Sequence, residues 1–309
     1  MRTIAIILIA LVITPVVGAN YETGDEDWRS IEVDTNSWTD GPELEGSPMD
    51  YPRAGDAVLA IDVEYKPSHL GSAVEGQIII ELFEEWAPNT TSNMIKNVEE
   101  GIYNGIFFHR VIDDFVTQAG DPTCKAVGIY PATSATCGGG GTGTTIDLEL
   151  NENLSHVDGA IGMARGQDPN SADSQWYIAE TEAHGLDPEN RDDEGYATFG
   201  IVRNGMSHVR AIATVPTTDD PSGEEVVVNP ASSAGRPIWE VHISKVEMIG
   251  VIPYPDEISN PSTKSFLSTI AGKATISVIS IVVLVIGYLA YDRSRKVEPD
   301  AILLDLDND

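Results

Sequence analysis

Between Asp56 and Ile249 the chain falls into short β-branched and aromatic runs cut by glycine-rich turns, and this rhythm narrows the folds open to it. Val58–Val63 alternates as a strand does, and Gln77–Phe83 is a second strand. Ile106–Ile112, Ala160–Met163, Gln175–Ala179, Ala197–Val202 and Glu240–Val246 are further candidates. Ala87-Pro88-Asn89 opens a helix, with proline in the first turn, and Gly101 ends it. Within that helix Met94, Ile95 and Val98 recur at the spacing of one buried face. A second helix covers Met206–Ala213. Many short strands with two helices point to an antiparallel barrel or sandwich.

Composition removes several other classes. Asp and Glu number 49 against 18 Lys and Arg, a formal net charge of −31. A chain so poor in cations cannot neutralise a phosphate backbone, which argues against nucleic acid as a partner. The acidity reads either as a solvated coat for a salty milieu or as a docking surface for cationic clients. Two cysteines cannot build a four-cysteine zinc or iron–sulfur site, nor a disulfide-scaffold miniprotein.

Two apolar runs flank this body. Met1-Arg2-Thr3 precedes an unbroken apolar stretch, Ile4–Ile13, and Val17-Gly18-Ala19 follows, so residues 1–19 read as a secretory signal peptide. Ala274–Tyr291 carries no charge and precedes Arg293, Arg295 and Lys296, so 274–291 reads as one transmembrane helix. The leader places everything up to the span outside, giving a single-pass type I membrane protein with a short cytoplasmic tail, 292–309. Residues 20–55 hold ten acids against Arg29 and Arg53, with Trp28 and Trp38 as the sizeable apolar side chains, and read as an acidic extended linker. The folded domain spans 56–250. Residues 251–273, with Pro253, Pro255 and Pro261, form a stalk.

Catalytic signatures of the common kinds are missing. There is no nucleotide loop, and His109, His156 and His184 show no zinc-type spacing. Glycines 138–141 lack the lysine and helix of a phosphate cradle and read as a turn. The informative stretch is Phe107-Phe108-His109-Arg110-Val111-Ile112-Asp113-Asp114-Phe115-Val116-Thr117-Gln118-Ala119-Gly120-Asp121. Together with Gly162-Met163-Ala164-Arg165, Ser174-Gln175-Trp176-Tyr177-Ile178 and Gly195-Tyr196-Ala197-Thr198-Phe199-Gly200, it closely resembles the cyclophilin family of peptidyl-prolyl isomerases. The resemblance covers roughly 70–249, and its details look more like the bacterial periplasmic branch than the cytosolic one.

The resemblance implies an eight-stranded antiparallel barrel closed by two helices, with the site on its outer face and no cofactor or metal. It assigns Arg110, Phe115 and Gln118 to catalysis and Val116, Ala164, Arg165, Gln175, Tyr177, Leu186 and Tyr196 to substrate binding. The chemistry suits those residue types. Rotation about a peptide bond costs about 18–20 kcal/mol because the nitrogen lone pair is delocalised into the carbonyl. A guanidinium donating toward the prolyl nitrogen localises that lone pair in the twisted state, without a covalent step. Apolar side chains form the socket for the ring, and Pro-containing segments of unfolded or exported proteins are the implied partners.

Several positions depart from the family. The Trp of cyclosporin-sensitive relatives is missing from Ala183-His184-Gly185-Leu186-Asp187, Tyr196 replaces a common His, and Val116 stands where Met is common. Arg165 replaces a common Asn, as a second groove cation or a solvated side chain. His109 reads as structural. Cys124 and Cys137 lie in an insertion after the motif, and an oxidising compartment predicts that they pair. The leading function is a membrane-tethered prolyl isomerase assisting exported proteins. A proline-peptide-binding module without turnover and a structural envelope protein are the competing readings.

Overall fold

A computed structural model of the chain describes residues 27–44, 46–125, 137–218 and 235–254. The described residues contain nine strands: β1 (Ala57–Tyr65), β2 (Val74–Leu82), β3 (Ile106–Phe107), β4 (Arg110–Ile112), β5 (Val116–Ala119), β6 (Ala160–Met163), β7 (Trp176–Ala179), β8 (Thr198–Asn204) and β9 (His242–Val251). They form one sheet in the order β3-β9-β1-β2-β8-β6-β7-β5-β4, with every neighbouring pair antiparallel. The two outermost strands, β3 and β4, are separated only by Phe108 and His109. The Phe108 amide donates to the Val241 carbonyl and the His109 amide to the Gln118 carbonyl. The sheet therefore curls until one short segment holds both of its edges.

Nine strands replace the expected eight. The run Ile106–Ile112 divides because its first part pairs with β9 and its last part with β5. Both helices fall where expected, α1 at Pro88–Glu99 and α2 at Met206–Ala213. Met94, Ile95 and Val98 of α1 are buried. The first turn of α1 is capped from a distance, since Glu149 accepts from the Asn89 and Thr90 amides. Gly205, at φ 88°, turns the chain from β8 into α2 where a Cβ would strike the Gln77 carbonyl.

The sheet has an inner and an outer apolar face. Leu59, Ile61 and Val63 of β1 join Ile78, Ile80 and Leu82 of β2 and Trp176 and Ile178 of β7 in the main core. Val116, Tyr177, Ala179, Leu186 and Ile201 pack together as a second cluster, with Phe115, Ala164 and Tyr196 against it. Trp176 and Ile178 belong to one cluster and Tyr177 and Ala179 to the other, as the two-residue period of a strand requires.

Of residues 20–55, expected as an extended linker, the described ones (27–44 and 46–55) have little regular structure but pack along the body as a belt. The Trp28 indole donates to Glu99 at 2.9 Å, and Glu32 bridges Val251. Val33 and Trp38 pack on Val58, Ala60, Ile79 and Ile252. Leu44 and the fully buried Met49 enter the outer-face cluster, and the Asp50 carbonyl accepts from Arg203. The physical reason is that a preformed apolar surface lets a few anchors suffice where the segment alone has no core. Among the described residues no helix is long and apolar enough to cross a membrane. The runs assigned to the leader and the span, the tail and nearly all of the stalk lie outside the described residues.

Candidate active site

Strand register builds the site. Arg110 of β4 stands opposite Gln118 of β5, Gln118 opposite Tyr177 of β7, and Tyr177 opposite Gly162 of β6. Side chains directly opposite on neighbouring strands share a face, so three functional groups form one row across the sheet. Gly162 closes the row because a Cβ there would come within 2.5 Å of the Tyr177 ring. With nothing at that position, the ring lies over β6 as a floor.

Around this row lies a groove of about 420 Å³ lined by Arg110, Phe115, Val116, Gln118, Ala164, Arg165, Tyr177, Leu186 and Tyr196, together with Gly185 and Arg191. Nine of the ten site residues expected from sequence thus meet in one groove. The tenth, Gln175, lines an adjoining hollow of about 370 Å³ with glycines 138–141 and Asp173, and Gln118, Ala164 and Arg165 border both.

A polar chain joins the two hollows. Arg110 Nη1 donates to Gln118 Oε1 at 3.3 Å, Gln118 Nε2 donates to Gln175 Oε1 at 3.0 Å, and Gln175 Nε2 donates to the Gly140 carbonyl at 2.8 Å. Burial lowers the Arg110 pKa from its ordinary value; an arginine nonetheless stays cationic at neutral pH. The glycine turn that ends this chain is itself fastened. Asp121 accepts from the Gly138 and Gly140 amides, and Asp173 from the Thr142 and Gly143 amides. Cys124 and Cys137 are joined in a disulfide with Cα atoms 4.9 Å apart, as the sequence predicts.

A second polar chain lies beneath the floor. The Tyr177 hydroxyl is 2.7 Å from His156 Nε2, and His156 Nδ1 is 2.6 Å from Asp187 Oδ1. Burial pushes the Asp187 carboxyl up, but hydrogen bonds from His156, Ser155 and His184 outweigh it and hold the group well below the usual carboxylate range. An ionised carboxylate only accepts, so Nδ1 carries the proton of that bond. Burial likewise raises the Tyr177 hydroxyl well above its ordinary pKa, which keeps the floor neutral.

Arg165 resolves between its two readings. Its side chain is 2% exposed and donates to the Gly195, Gly166 and Asp193 carbonyls, so it is not solvated. It stacks 4.6 Å from the Tyr196 ring centroid while Arg191 lies 5.1 Å from the same ring. Two guanidiniums thus fix Tyr196 edge-on to Tyr177. His109 is buried, as a structural histidine is. Sequence reasoning missed Gly185, Arg191 and the His156–Asp187 support. Arg191 is a lone cation in an acidic loop, and 31 residues separate His156 from Asp187, so neither leaves a spacing signal.

A family model for cyclophilin type peptidyl-prolyl cis-trans isomerases matches residues 69–233. A peptidyl-prolyl cis-trans isomerase of Acinetobacter baylyi is 34% identical over 55% of this chain and 84% of its own length. One of Schizosaccharomyces pombe is 35% identical over 46% of this chain and 82% of its own. A bacterial and a fungal relative at such similar identity do not single out the bacterial branch. Among solved structures, a cyclophilin type isomerase of Cryptosporidium parvum aligns over 62% of this chain and 97% of its own, at 21% identity and a TM-score of 0.45. The family match, together with relatives covered over more than four fifths of their length, carries the conclusion that this chain belongs to the cyclophilin-type peptidyl-prolyl cis-trans isomerases.

Proposed function

We propose that this isomerase turns over X-Pro bonds in exported proteins at the outer face of a membrane, with Arg110 as the catalytic donor. Arg110 donates toward the prolyl nitrogen as the amide twists, and Phe115, Val116, Tyr177 and Leu186 seat the ring. Gln118 positions Arg110 and, with Gln175, meets the substrate backbone, while Ala164 and Arg165 form the wall between the hollows and Tyr196 lines the proline side. The observation that carries this reading is the cross-strand row that sets Arg110 and Gln118 beside the apolar Tyr177 floor. A fixed donor of this kind lowers the barrier by binding the twisted amide more strongly than the planar one. The flanking apolar runs support the location, and so does the disulfide, a bond that persists in oxidising compartments.

A protease-coupled isomerisation assay tests the role. Arg110→Ala is expected to lower kcat/KM by about 10²–10³, or roughly 2.7–4 kcal/mol, by analogy with other deleted transition-state donors. Peptide affinity is expected to change far less, and Arg110→Lys to restore little, since an ammonium lacks the planar fork. Equal losses of binding and rate remove the proposed role. For the location, external protease on intact cells is expected to digest the barrel and spare the 293–309 tail. A protected barrel overturns it.

A further inference from the structure

We infer that Asp113, Asp114 and Glu180 form a calcium-binding site at the tip of the β4–β5 turn. One carboxylate oxygen from each lies within 4.8 Å of the other two. Ligands on opposite sides of a calcium ion stand about 4.6–5.2 Å apart, because each bond is about 2.3–2.6 Å long. Three oxygens spaced no farther apart than that can share one calcium ion after small side-chain adjustments. Magnesium bonds are shorter, about 2.0–2.1 Å, and that ion usually keeps several waters and takes only one or two carboxylates, so a three-carboxylate set favours calcium.

The observation that points to a ligand is Glu180 itself. It follows β7 directly and its amide donates to the Phe115 carbonyl at 3.2 Å, which fixes it beside the turn. The residue is 6% exposed, and its Oε1 is buried without a hydrogen-bond partner. A buried carboxylate oxygen so placed is costly unless a cation or donor meets it. The cation facing this region from α2, Arg210, is engaged by Asp158 Oδ2 at 2.6 Å. Asp114 is exposed and Asp113 half-buried, so an ion enters from the solvent side and keeps water on its open face. An all-oxygen, carboxylate-rich set selects a hard cation over zinc or copper. The turn that carries Asp113 and Asp114 runs straight into Phe115 and Val116 of the groove, so an occupied site holds that wall in place.

Calorimetric titration of the full chain, stripped of divalent ions, with CaCl2 tests the site in about 0.15 M KCl, where diffuse attraction to an acidic protein is screened. The expected result is one saturable site with Kd on the order of 10⁻⁴–10⁻³ M. Glu180→Gln and Asp114→Asn are each expected to weaken binding at least about tenfold. The control is the exposed pair Glu64 and Glu75, which face each other across β1 and β2; Glu64→Gln with Glu75→Gln is expected to leave the Kd unchanged. Lack of saturation at about 10 mM CaCl2, or an equal loss in the control, overturns the site. Tighter binding of MgCl2 than of CaCl2 overturns the assignment to calcium. Asp114 is exposed, so Asp114→Asn keeps the test decisive if Glu180→Gln fails to fold; unchanged affinity in Asp114→Asn overturns the proposal.

Discussion

The belt of residues 27–55 holds to the molecule by a few widely spaced anchors, whereas the sheet from Ala57 onward is held at nearly every second residue. In the belt, Trp28, Val33, Trp38, Leu44 and Met49 do the packing, and Leu44 and Met49 are its buried apolar side chains. In β1 and β2, Leu59, Ile61, Val63, Ile78, Ile80 and Leu82 all enter one core. The difference shows that a segment too poor in apolar residues to fold alone still orders on a surface that is already folded. The matched family span begins at residue 69, so belt and β1 precede it, yet the belt reaches the cluster beneath the groove through Met49. It belongs to the active domain physically, and a domain boundary drawn at residue 56 cuts through that packing.

Deletion is the strongest way to break this comparison. A chain beginning at Asp56 loses Met49 and Leu44 from the groove cluster and uncovers Val58, Ala60 and Ile79. It is expected to unfold at least about 10 °C below one beginning at Asp27, taking roughly 2–4 °C per kcal/mol for a domain of this size. Equal melting temperatures by calorimetry would show that the belt merely rests on the surface.

Met49→Ala sharpens the same point with one side chain. Removing a fully buried Met costs about 2–5 kcal/mol. If the belt peels off independently, however, no belt substitution can destabilise the body by more than deleting the belt does. Denaturant titration of both variants decides this. A loss in Met49→Ala larger than that of the truncation would mean that belt and sheet unfold as one unit.

The body buries ionisable groups, and His109 gives the next effect. Burial lowers its pKa from 6.5 to about 4, with Asp121 opposing and Arg110 and Arg236 adding to the shift. The folded pKa is the lower one, so between about pH 6.5 and 4 the unfolded chain takes up a proton that the folded chain refuses. Stability from this group is therefore lost as pH falls through that window, by up to about 3 kcal/mol. His109→Leu, measured beside the wild type by denaturation at both ends of the window, is expected to remove that part of the slope. Parallel profiles would place the acid sensitivity elsewhere.

What was legible in the sequence follows the same division. Strands and helices of the body announce themselves by period, and the ordered string from Phe107 to Asp121 supplied four of the nine expected groove residues, with the later matching segments supplying the other five. The split of Ile106–Ile112 was not legible, because pairing partners and not composition decide where a strand ends. The belt left one signal that was passed over. Ala57–Ile61 and Ile78–Ile80 are continuous apolar runs, and such strands are covered on both faces. Something had to cover the outer one. Arg191, His156 and Asp187 join the site through loops whose course no local pattern records.

The smallest effect probes the belt where it acts through polar atoms alone. Helix α2 begins at Gly205, which offers no side chain to receive its first amides. Asp40 of the belt does so instead. Its carbonyl accepts from the Met206 amide at 2.9 Å, and its carboxylate accepts from the Ser207 amide and hydroxyl. This is a helix cap supplied from more than a hundred and sixty residues away, and anionic charge at that end also meets the helix dipole favourably. Loss of a capping side chain costs about 0.5–2 kcal/mol, typically about 1. Asp40→Ala keeps the carbonyl contact and is expected to cost about 1 kcal/mol, while Asp40→Asn, which retains an acceptor, recovers part of it. In the chain beginning at Asp56 the cap is already gone. Substituting Ser207→Ala, which deletes the hydroxyl that meets Asp40, should therefore destabilise the longer chain and leave the shorter one nearly unchanged in hydrogen exchange of the α2 amides. Equal responses in the two chains would show that the cap contributes nothing, and the belt would then hold by its apolar anchors only.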